Sequence, residues 1–184
     1  MTLKRFAPFL FTLGLALFFC ACLPAASRAD DTLPEAVRTQ AHTPLEIVGT
    51  STYRRFGFRV YRAILWAPDG KWDAAKPYAL QLRYTRSVSK DTLVDTVTDD
   101  IRDQNVADDG TLALWKKTLN ETMPDVEDGD AITGLSLPGK NALLFYNATK
   151  IASIGDKAFS RAFFNVWLGN TADEDMRNDL MGKE

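Results

Sequence analysis

Histidine and cysteine are almost missing from this chain of 184 residues: His42 is the lone histidine, and the two cysteines, Cys20 and Cys22, fall near the amino terminus. Without a histidine in the body of the sequence, Ser-His-Asp and Cys-His mechanisms have no base. Zinc held by nitrogen and sulfur loses its donors in the same way. There is no P-loop and no G-x-G-x-x-G fingerprint, no internal repeat and no low-complexity stretch. Long apolar runs are equally scarce, and the one that exists spans Phe6 to Leu23.

That run follows Lys4 and Arg5, and Ser27-Arg28-Ala29 sets small residues at the −3 and −1 positions before Asp30. The pattern predicts a signal peptide over residues 1–29, cleaved near Ala29, and therefore a periplasmic or secreted protein. The alternatives are an uncleaved anchor, for which the run is short and interrupted by Pro8, and lipidation at Cys20 or Cys22 after a shorter signal. Cleavage would remove both cysteines and three basic residues, leaving 19 basic against 24 acidic side chains and a net charge near −5. Such a chain has no disulfide or thiol chemistry and is held by packing alone. It is long enough for one domain with a real core. Its acidic balance argues against nucleic acid or anionic lipid headgroups as partners.

Residues 30–44 are polar, carry Pro34 and Pro44, and read as a lead-in linker with at most one helical turn near Glu35–Thr39. The domain proper is expected over 45–184. Leu45–Gly49 predicts a short strand and Phe56–Trp66 a longer one, in which Phe58, Val60, Ala63 and Leu65 share a face only with a twist or a bulge. Tyr78–Tyr84 predicts a strand with Leu80 and Leu82 on the side of both tyrosines. Ser89 predicts the cap of a helix reaching about Gln104, with Leu93, Val97 and Ile101 inward. Leu112, Trp115 and Leu119 mark a second helix closed by Pro124. Ala131–Leu137, Asn141–Tyr146 and Lys150–Ile154 read as strands, the last two joined at Asn147-Ala148.

The most informative stretch is Asp156–Gly169. Phe159, Phe163, Val166 and Trp167 stand at i, i+4, i+7 and i+8, one buried helical stripe that needs a broad apolar surface. Asp156 is placed as its N-cap and Gly169 as its positive-φ exit. Thr171-Ala-Asp-Glu174 resembles a capping box for a last helix. Strands, two helices, a strand meander and two helices indicate an α+β fold: an antiparallel sheet with helices packed on one face.

Few residues offer chemistry. Asp125-Val-Glu-Asp-Gly-Asp130 lacks the EF-hand spacing and reads as a solvated acidic loop, so no metal site is expected. No pair of carboxylates stands out, and no cofactor is expected. Arg54 and Arg55 precede the strand carrying Tyr61, and an arginine beside a tyrosine on a sheet face holds a carboxylate or phenolate. The plain alternative is two exposed edge arginines.

Several stretches together resemble the chalcone isomerase-like family of exported bacterial proteins. They are Val48-Gly49, Arg54, Gly57–Pro68, Tyr78–Tyr84, Pro124-Asp125-Val126, Gly129-Asp130, Gly134, Pro138-Gly139, Phe145-Tyr146-Asn147 and Ala162–Leu168, in the family's order from about residue 45 to Gly182. The resemblance implies the chalcone isomerase fold, a curved antiparallel sheet with helices on one face. It also implies one of two uses of a cleft over the sheet. Plant members cyclise a chalcone with arginine, threonine and tyrosine, and other members bind fatty acids with an arginine at the carboxylate. No counterpart of the plant threonine and tyrosine is found. Arg54 is the match by position to the fatty-acid arginine, with Tyr61 as a hydrogen-bonding partner. A gap-free comparison sets Tyr53 on that site and Arg54 one place later, which reverses its facing on a strand.

Three functions follow in order: a non-catalytic domain binding a small amphipathic or fatty-acid-like ligand through Arg54 and Tyr61; an intramolecular lyase using the same cleft; and a structural or partner-binding envelope protein with a filled core.

Overall fold

A computed structural model describes residues 31–183, so the predicted signal segment with Cys20 and Cys22 lies outside the described residues. Twelve elements follow in order. Helix α1 (Glu35–Ala41) precedes the strands β1 (Glu46–Arg55), β2 (Phe58–Ala67) and β3 (Tyr78–Tyr84), with a 3-10 turn at Pro68–Gly70 after β2. Helices α2 (Lys90–Asp103) and α3 (Asp109–Thr122) come next, then β4 (Ala131–Ser136), β5 (Ala142–Tyr146) and β6 (Thr149–Ile154), and finally α4 (Lys157–Leu168) and α5 (Glu174–Leu180). The six strands form one antiparallel sheet in chain order. The fold is α+β, as the pattern predicts.

Strand alternation divides the core in two. On one face Leu65, Leu80, Leu82 and Leu144 meet α2 to α5. On the other, Ile64, Trp66, Leu135 and Phe145 meet Leu33, Val37 and Ala41 of the α1 segment. The expected linker is corrected here: residues 33–41 place apolar side chains at i, i+4 and i+8 and cover the reverse face. Residues Asp31–Glu184 accordingly form one compact unit with its own core.

The helices begin where acceptors stand. Ser89 accepts from the Thr92 amide, Asp108 from Thr111, and Asp156 from both Ala158 and Phe159. Asp125 adds a second acceptor for the Lys90 amide at 2.7 Å. The last helix starts two residues later than the capping box implies, with Asp173 accepting from Met176 at 2.9 Å. Gly169 is also corrected: its φ is −85°, in the ordinary region, and glycine is needed instead because a Cβ would lie 2.6 Å from the Asn165 carbonyl oxygen.

Helix α4 lies across the sheet as its aromatic stripe predicts. Phe159, Phe163, Phe164 and Trp167 are buried, whereas Val166 is half-buried. Gly134 on β4 lets Phe164 descend, since a Cβ there would stand 2.8 Å from the ring. Trp115 of α3 stacks on Phe159 at 5.2 Å and donates its indole N–H to Asp156 at 3.0 Å. One carboxylate thereby caps α4 and fixes α3 beside it.

Candidate functional site

At the β1–β3 end the sheet and the helices separate around a cavity of about 680 Å³. Its floor is apolar: Leu82 and Ile132 from the sheet, Val97 from α2, and Phe163, Val166 and Trp167 from α4. Three tyrosines form one wall. Tyr53 and Tyr61 are cross-strand partners stacked at 5.0 Å, and Tyr84, opposite Tyr61 on β3, meets it edge-on at 5.7 Å.

The β1–β2 register explains how so many side chains reach one side. Tyr53 pairs with Tyr61 and Arg54 with Arg59, so Val60 is an extra residue in β2. This is the bulge that the spacing of Phe58, Val60, Ala63 and Leu65 requires. It brings Phe58, Val60 and Tyr61 to the cavity together. Phe56 departs from expectation. Instead of opening β2 it occupies the two-residue hairpin turn with Gly57, at φ 51° and 81° respectively.

Tyr61 is the better defined of the two sequence-predicted site residues. It lines the cavity, and its hydroxyl accepts the Trp167 indole N–H at 3.0 Å, which leaves the phenolic proton to be donated. Burial pushes its ionisation well above the ordinary tyrosine range, against a smaller opposing effect of the Trp167 hydrogen bond. Burial alone does the same to Tyr84. Both phenols therefore stay neutral at physiological pH, suited to donating a hydrogen bond and unsuited to acting as a base.

Arg54 is exposed, paired with Arg59, and lies outside the cavity lining. Its neighbour Arg55 does line the cavity, as does Arg86 just beyond β3. Arg86 was not legible in the sequence; only the pairing of β2 with β3 carries it to the same mouth. The opposite rim is acidic, with Asp100 and Asp103 from α2 and Asp173 at the head of α5. Burial, then the charges of Asp103 and Asp99, raise the Asp100 carboxyl above its ordinary value.

The acidic loop is occupied with its own structure. Asp130 accepts from the Tyr146 hydroxyl at 2.8 Å, the Asn147 amide at 3.0 Å and the Glu127 backbone at 2.8 Å. These bonds, that of Asn147 foremost, hold its carboxyl below the usual range. Among the described residues no cluster of three metal-ligating side chains occurs, and no helix is long and apolar enough to cross a membrane.

The sequence profile of a family described as chalcone isomerase-like matches residues 25–182. No curated protein matches the sequence. Among solved structures, the crystal structure of a fatty-acid binding protein from Arabidopsis thaliana is similar, with a TM-score of 0.57 and 11% identity. The match covers 74% of this chain and 86% of that one. At this identity the likeness establishes a shared fold.

Proposed function

The chain belongs to the chalcone isomerase-like family, and from that premise we propose that it binds a small amphipathic anion of the fatty-acid type and carries out no reaction on it. The observation behind this reading is the cavity itself: an apolar floor, neutral phenols on one wall and arginines at the mouth. An acyl chain suits the floor, which falls in the volume range of small-molecule sites. A carboxylate suits the guanidiniums, whose planar donors match it in pairs. In this reading Arg55 and Arg86 replace Arg54 as the anchors, and Tyr61 donates deeper in. The solved neighbour, a fatty-acid binding protein, supports the ligand class by analogy of fold. Export through residues 1–29 belongs to the same proposal and rests on the sequence pattern.

Native mass spectrometry of the purified protein, with organic extraction of what is bound, tests the reading directly. A titration with a long-chain fatty acid, followed by fluorescence of the cavity-lining Trp167, gives the affinity. Replacing both Arg55 and Arg86 by alanine should weaken binding by about tenfold or more, because charge-assisted bonds are lost, with the melting temperature unchanged. Undiminished affinity in that double variant would refute the anchor assignment. Turnover of an enone by the same protein would favour the lyase reading instead.

A further inference from the structure

The hairpin between β1 and β2 spends two aromatic side chains on solvent. Phe56 is 88% exposed and Phe58 65% exposed, next to a cavity both of them line. Phe56 also sits at positive φ, 51°, in a two-residue turn that asparagine or glycine would occupy without strain. An exposed phenylalanine in a strained conformation buries little apolar surface in the fold, and an observed backbone outlier of this kind is a pointer to function.

Its surroundings are all of one charge. The Arg55 guanidinium lies 5.6 Å from the Phe56 ring centre and that of Arg86 5.5 Å from Phe58. Arg54 and Arg59 face each other across the strands, a like-charge pair that is unfavourable in the isolated protein. Among the described residues none of these four arginines is in an ion pair. No acidic residue occurs between Glu46 and Asp69, or between Asp73 and Asp91. The acidic rim of Asp100, Asp103 and Asp173 belongs to the helices on the other side of the mouth. The overall negative charge therefore hides a local positive one.

We propose that this hairpin tip docks on an anionic lipid bilayer, with Phe56 and Phe58 entering the interface and the four arginines meeting headgroup phosphates. Aromatic side chains with flanking arginines are the chemistry of interfacial binding, and the acidic rim would orient the cavity mouth by repulsion from the same surface. The expectation from net charge, that anionic headgroups are not partners, is thus reversed for this one end. The inference does not need a ligand in the cavity; a carboxylate held by Arg55 and Arg86 would compete with the headgroups for those two arginines and leave Arg54 and Arg59 to the membrane.

The test is vesicle sedimentation with the ligand-stripped unit from Asp31 onward. Binding should occur to phosphatidylcholine vesicles containing phosphatidylglycerol, not to phosphatidylcholine alone, and should fall as salt screens the arginines. Phe56→Asn together with Phe58→Ser should weaken it by about tenfold or more, since apolar burial and charge act together at an interface. Phe56→Asn alone should melt at or above the wild-type temperature, because asparagine accepts the turn's backbone. No binding to the anionic vesicles, equal binding to neutral ones, or an undiminished double variant would each overturn the proposal. Self-association lost in the double variant without vesicle binding would assign the tip to a second copy of the chain instead.

Discussion

Helix α4 touches two very different regions with one stripe of aromatics. At the filled end of the core, Phe159 stacks on Trp115 and Phe164 presses onto Gly134. At the hollow end, Phe163, Val166 and Trp167 of the same helix look into the cavity. Protein interiors normally close such gaps, because unfilled volume forfeits dispersion contacts. The filled end therefore shows what this sequence achieves when stability alone is served, and the hollow end shows where it stops short. The difference marks the hollow end as the place where the proposed ligand would sit.

The comparison breaks first if the filled end tolerates truncation. Phe164→Ala should cost about 3–5 kcal/mol, the usual range for a buried aromatic, read from urea unfolding, while fatty-acid affinity stays as it was. A loss below about 1 kcal/mol would mean that the filled end is not the centre of the core. Adding volume at the hollow end should do the reverse. Val97→Phe, placed where the cavity already offers room, should change stability by less than about 1.5 kcal/mol and remove ligand binding. A large destabilisation would show that the space is already taken up in solution.

The smallest effect concerns Asp100 on the acidic rim. Its carboxyl is raised from the ordinary value of 3.8 by burial first and by Asp103 and Asp99 after that. The folded state thus holds the proton more tightly than the unfolded one, so this group favours folding below 3.8 and loses that contribution as pH rises through the raised value. Asp100→Asn should melt slightly higher than wild type at neutral pH, with the gap closing in acid. An equal gap at both pH values would remove titration as its cause.

Periodicity carried much of this in advance. The α4 stripe, its Asp156 cap, the Ser89 cap of α2 and the inward side of Tyr78–Tyr84 all follow from spacing that local geometry obeys. Other parts depend on neighbours that no window of sequence contains. The α1 segment looked like a linker because its polar residues and two prolines outnumber Leu33, Val37 and Ala41, which count only once a bare sheet face is there to receive them. Phe56 looked like the start of a strand because aromatics favour strands, yet the turn falls on it. Arg54 lies outside the cavity lining, which its spacing does not reveal, and Arg86 joins that lining only through the pairing of β3 with β2. The cavity is a gap between several elements, and a gap has no residues of its own.

Val60 has a consequence for descent as well as for shape. One surplus residue in β2 decides which members of the adjoining turn and strand ends face the cavity and which face away. Drawing Val60 into the regular ladder would exchange odd for even along the tip, turning Arg59 inward and Phe58 outward with the composition intact, whereas deleting it would leave Arg59 opposite Arg54 and Phe58 opposite Arg55. The facing of the mouth is thus set by whether one residue is held out of the ladder, and a single shift of pairing changes it where substitution would need several. Two chains of this fold that differed in length by that one residue would keep the same facing, so the meaningful comparison at the tip is one of parity and not of residue number.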